Sequence, residues 1–122
     1  MSDFAIAVEI ASERHMGNLS AEQVEFCIGE LCKAIDAPPL GDEADAYGDY
    51  TTDGMHGYLF YSTDGHNFHS ITLRASACAD IITIVQILCD MCTKGCVVTC
   101  NDGDDRDKND YLWNFAYRLN QI

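Results

Sequence analysis

Four cysteines within twelve residues carry the most suggestive chemistry in this chain: Cys89, Cys92, Cys96 and Cys100, in CDMCTKGCVVTC. Thiolates this dense could hold zinc, which small domains cage with two pairs on tight turns about a dozen or more residues apart. The phasing argues otherwise. Cys89 follows Val85 by four residues and Cys92 follows Leu88 by four, so both fall on the apolar flank of a helix. Cys96 and Cys100 share a strand face with Val98. Free cysteine packs as a small hydrophobe, and Cys27 and Cys32 sit on the apolar stripe of an earlier helix. The expectation is core packing, with no metal and no cofactor. Seven cysteines, an odd number, with no basic stretch at the start, read as free thiols in a reducing cytoplasm.

Other constellations are weaker. His66 and His69 fall on opposite faces of a strand and His56 lies in an irregular stretch, whereas a three-histidine metal site needs one side. Ser62, Asn67 and His69 share a strand face, but no acid is placed to orient the imidazole. The loop DGDDRD has calcium-like composition. Counted from Asp102, however, it has Asp107 where an EF-hand needs glycine and Trp113 where it needs glutamate. GxxxxGK[ST], GxGxxG and GxSxG are all absent from the sequence. The balance is against an enzyme.

The elements that position these residues follow from periodicity. FAIAVEI alternates and reads as a strand. Ser20 with Gln23 forms a capping-box pattern ahead of Val24, Cys27, Ile28, Leu31, Cys32 and Ile35, an amphipathic helical stripe that Pro38 and Pro39 end. Asp64-Gly65 between two β-rich runs predicts a hairpin in which Tyr61 faces Phe68 and Phe60 faces His69. In that register Leu59, Tyr61 and Phe68 line one face, and Tyr58, Phe60, Ile71 and Leu73 the other. The first of these is expected on the sheet face away from the helices. Ser76 is the expected cap of a second helix, largely apolar except for Thr83, Gln86 and Asp90, and closed by Lys94 and Gly95. CVVTC is a short strand and DYLWNFAYRLNQI a C-terminal helix, and the open sheet face is expected to pack under that helix or against a second subunit. The order β-α-β-β-α-β-α predicts one α+β domain over 1–122, ferredoxin-like, with an added helix.

Charge is the strongest compositional signal. Twenty acids against seven bases give −13, and no Lys or Arg occurs between Lys33 and Arg74. Such a chain repels phosphate backbones and anionic membranes, and attracts basic protein surfaces. Within the base-free stretch, Tyr47 and Tyr50 stand among Asp42, Glu43, Asp45, Asp49 and Asp53. Tyrosine supplies contact area at interfaces, and the carboxylates can pair with Arg and Lys. Asp102, Asp104, Asp105 and Asp107 form a second acidic patch.

Small size, high acidity and the lack of a catalytic signature together make this chain resemble small phage-encoded inhibitors of bacterial defence, such as anti-CRISPR proteins. Many of those are acidic single domains that block the nucleic-acid-binding surface of a host complex. The resemblance is one of overall profile, so no functional residue is carried over from it. It implies a non-enzymatic, cytoplasmic interaction protein, acting as a nucleic-acid mimic. Its partner would be a basic surface of a protein or ribonucleoprotein complex, with no direct contact to nucleic acid or membrane. The alternative expectation is a ferredoxin-like regulatory domain that binds a small molecule as an oligomer, a homodimer in the simplest case.

Overall fold

A computed structural model describes residues 6–11, 16, 18–41, 56–65 and 67–100, with Ala11 and Cys100 as backbone only. Its elements are β1 (Ile6–Ala11), α1 (Ala21–Ala34), β2 (Gly57–Asp64), β3 (Asn67–Ala75), α2 (Ile81–Thr93) and β4 (Val97–Cys100). The architecture is α+β: among the described residues, a four-stranded antiparallel sheet, in the order β2-β3-β1-β4, with two helices. The expected C-terminal helix lies outside the described residues.

α1 forms as its sequence requires. The Ser20 hydroxyl accepts from the Gln23 backbone N–H at 3.2 Å, and the Gln23 side-chain oxygen accepts from the Ser20 N–H at 2.8 Å. This reciprocal box satisfies two donors that a helix start leaves orphaned. The helix ends in a Schellman motif, with Asp36 N–H donating to the Lys33 carbonyl and Ala37 N–H to the Cys32 carbonyl. That motif needs a left-handed residue, and Asp36 supplies it at φ 52°. α2 closes the same way around Gly95 at φ 93°, with Gly95 and Cys96 N–H groups donating to Cys92 and Met91. The start of α2 differs from expectation. Asp80, not Ser76, is the cap, accepting from the Thr83 N–H at 3.2 Å and its hydroxyl at 2.8 Å. Ser76 instead accepts from the Cys78 N–H in a local turn.

The helices run antiparallel, because each end of the pair is tied. Asn18 N–H donates to the Lys94 carbonyl at 2.8 Å, and Asp80 N–H to the Ala34 carbonyl at 2.9 Å. Between helices and sheet lies one core: Ile6, Val8 and Ile10 of β1, Leu59 of β2, Ile71 and Leu73 of β3, Val98 of β4, Leu31 of α1, and Ile84 and Leu88 of α2.

The hairpin register departs from the sequence reading. Asp64 itself pairs, with Asn67, so it is not a turn residue, and Gly65 follows it at φ 64°. A bulge then shifts the register beyond Ser62, and Tyr61 meets Ile71 while Leu59 meets Leu73. The two effects move the pairing by three residues, an odd number, which exchanges the faces of β2 relative to β3. Leu59, Tyr61 and Phe68 therefore lie on the helix-covered side. Leu59 is fully buried, and the Tyr61 and Phe68 rings meet edge to face at 5.5 Å. The opposite sheet face carries Tyr58 and Phe60, with ring centroids 5.0 Å apart, and Arg74 over the Tyr58 ring at 5.9 Å.

At the β2 edge, Leu40 N–H donates to the Leu59 carbonyl and Tyr61 N–H to the Gly41 carbonyl, an isolated parallel bridge. Gly57 enters β2 where a side chain would run into the Arg74 carbonyl, so only glycine fits.

Candidate functional site

The helix phasing of the cysteines is what decides their chemistry. Cys96 and Cys32 are buried, while Cys27, Cys89 and Cys92 are half-buried against the core; Cys78 is exposed. Burial pushes the Cys32 thiol up to about 11. It does the same to Cys96, also to about 11, helped by the neighbouring Cys92 and Cys27 thiols. Cys92 is raised by burial and then by Cys89, with a backbone hydrogen bond at Val98 opposing. Cys27 is raised by burial and then by the Asp90 carboxylate, with Lys94 opposing. Thiols held this protonated are poor nucleophiles. Among the described residues no group of three His, Cys, Asp or Glu side chains could hold a metal ion.

The Ser62 and His69 pairing dissolves with the new register. Ser62 lies across from Ser70, and their hydroxyls hydrogen-bond at 2.7 Å. His69 is exposed beside the bulge.

The acidic residues favoured by the sequence, Asp42, Glu43, Asp45, Tyr47, Asp49, Tyr50 and Asp53, lie outside the described residues. So do Asp102, Asp104, Asp105 and Asp107. The structure places the two ends of the first segment. The chain leaves the β2 edge at Gly41 and returns at His56, whose N–H donates to the Ile35 carbonyl at 2.9 Å and whose carbonyl accepts from Ser76. Among the described residues eight acids stand against three bases, Lys33, Arg74 and Lys94. Two of those bases sit beside acids on their own helices, Lys33 with Glu30 at 3.3 Å and Lys94 with Asp90 at 3.9 Å.

A groove runs between the outer faces of α1 and α2, with a volume of about 460 Å³. Its α1 wall is the i, i+4, i+8 row Glu22, Phe26, Glu30, and its α2 wall the matching row Gln86, Asp90, Lys94. Cys27 and Ile87 form an apolar floor and Leu19 closes one end. Phe26 is 70% exposed, a large aromatic off the apolar stripe. Gln86 and Asp90 belong to the polar stripe that the sequence predicts for α2, whereas Phe26 lies on no stripe that the sequence pattern singles out. Its signal was an aromatic residue on the solvent side of an amphipathic helix.

No helix among the described residues is long and apolar enough to cross a membrane. No protein-family model matches the chain, and neither a curated protein nor a solved structure matches it.

Proposed function

We propose that this chain is a non-enzymatic interaction protein that occupies a basic, nucleic-acid-binding surface of a partner complex and blocks it, in the manner of anti-CRISPR inhibitors. The observation that carries the reading is the charge: −13 overall, with no base between Lys33 and Arg74. A field of that sign steers the chain toward Arg- and Lys-rich surfaces, which are the surfaces that hold nucleic acid. The fold we propose for the whole domain is ferredoxin-like with an added C-terminal helix. The strand order β2-β3-β1-β4, with a helix in each of the β1–β2 and β3–β4 connections, supports it.

The principal contacts are assigned to Asp42, Glu43, Asp45, Tyr47, Asp49, Tyr50 and Asp53, with Asp102, Asp104, Asp105 and Asp107 as a second patch. The 42–53 segment starts from an anchored edge, because Gly41 and His56 are both held by backbone hydrogen bonds. The test is affinity capture from a host lysate with mass spectrometry, comparing the native chain with one whose five acids in 42–53 are amidated to Asn or Gln. The reading predicts a basic partner, lost with the amidated chain and released by salt. Capture that amidation leaves unchanged refutes the assignment.

A further inference from the structure

The groove between α1 and α2 has the form of a helix-docking site. From it we infer that this face binds a basic amphipathic helical segment of a partner protein. The inference deepens the proposed function and rests on it for the sign of the partner's charge.

The shape comes first. Two antiparallel helices leave a trough bounded by two parallel side-chain rows, and a third helix seats its apolar stripe in such a trough. α1 has 14 residues, or about 21 Å at 1.5 Å rise per residue, enough for three to four turns of a guest helix. The floor, Cys27 and Ile87, is apolar. Cys27 is held protonated by burial and by Asp90, so it acts as a small hydrophobe there.

The anchor is Phe26. It stands midway along the α1 wall at 70% exposure. Exposed aromatic rings flanking an apolar floor are the usual energetic centre of an interface.

Charge then selects the guest. Glu22, Glu30 and Asp90 line the groove with Lys94, which lies 3.9 Å from Asp90, while Lys33 lies 3.3 Å from Glu30. The whole helical layer carries Glu22, Glu25, Glu30, Asp80 and Asp90 against Lys33 and Lys94, a net −3. A second copy of this chain, itself at −13, is disfavoured there, whereas Lys or Arg flanking an apolar stripe would meet the Glu22 carboxylate and the net negative charge of the layer.

The probe is a fluorescein-labelled, 14-residue Leu/Lys peptide with leucines at helical i, i+3, i+4, i+7 spacing. The control has the same composition in an order without amphipathic phase. Binding is read by fluorescence anisotropy on the full chain. The inference expects the phased peptide to bind at least about tenfold more tightly than the control, and Phe26→Ala to weaken it about tenfold. Phe26 is exposed, so that variant keeps its fold, which circular dichroism checks. Glu22→Lys should weaken binding severalfold and flatten its salt dependence. The chain amidated over 42–53 should bind the peptide as before, which separates this inference from the assignment of that segment. Equal binding of both peptides, or undiminished binding by Phe26→Ala, overturns the inference. So does absence of binding, or a homodimer that Phe26→Ala abolishes. If lysate capture still depends on segment 42–53 in any of those cases, only the groove inference has failed.

Discussion

Leu59→Ala tests the sheet register, on which the placement of both faces depends. Leu59 is fully buried on β2, cross-strand from the fully buried Leu73, in the core beneath the helices. Truncation removes three buried carbons and leaves a cavity between elements that cannot readily collapse. The expected cost is about 3 kcal/mol, within the range for buried Leu→Ala changes. For a domain whose total stability is about 5–15 kcal/mol this is a large fraction. With a urea m-value of about 1.5–2 kcal/mol/M, it lowers the midpoint by about 1.5–2 M. The assay is urea unfolding followed by far-UV circular dichroism. Thr72→Ala, half-buried on the opposite face across from Phe60, serves as control and should cost less than about 1 kcal/mol. A double-mutant cycle of Leu59→Ala with Leu73→Val should show coupling of about 0.5 kcal/mol or more, since the two are direct neighbours. In the unbulged register with Asp64-Gly65 as the turn, Leu59 would lie opposite Ser70 on the other face, and the pair would be additive. A cost under about 1 kcal/mol with additivity would therefore refute the register.

Asp80→Ala should cost about 1 kcal/mol in thermal unfolding, because it deletes the α2 cap that binds both the Thr83 N–H and hydroxyl. Asp36→Gly should stabilise by about 1 kcal/mol in the same assay, since φ 52° in the Schellman position penalises any residue with a Cβ. The raised thiols predict a pH dependence. Cys32 and Cys96 ionise near 11 in the folded chain and near 9 when unfolded, so folding stability is steady below about 9 and falls as pH rises toward about 11. Urea midpoints across that window should decline, and Cys32→Ala should remove part of the slope.

Local chemistry was legible in the sequence and long-range pairing was not. The Ser20–Gln23 box, the α1 stripe and the Gly95 stop all depend on residues within a few positions of one another, and each forms as read. The hairpin misled because Gly65 can serve at either central position of a two-residue turn, and the bulge carries no residue signature of its own. Ser76 and Asp80 are both good caps; the choice fell to Asp80, whose backbone is tied to Ala34 at the far end of α1. The groove was invisible for the same kind of reason. Glu22, Phe26 and Glu30 gain meaning only when Gln86, Asp90 and Lys94, some sixty residues on, are laid beside them. The acidic 42–53 segment lay in plain sight as composition, since charge needs no fold to be counted.

Under the proposed function this chain competes with nucleic acid for a basic surface. Competition is measured on the captured partner: labelled nucleic acid bound to that partner is titrated with this protein and followed by anisotropy. The expected result is displacement that saturates near one chain per binding surface, weakens steeply with added salt, and is lost when the acids of 42–53 are amidated. A stable ternary complex of partner, nucleic acid and this chain, or equal displacement by the amidated chain, would contradict it.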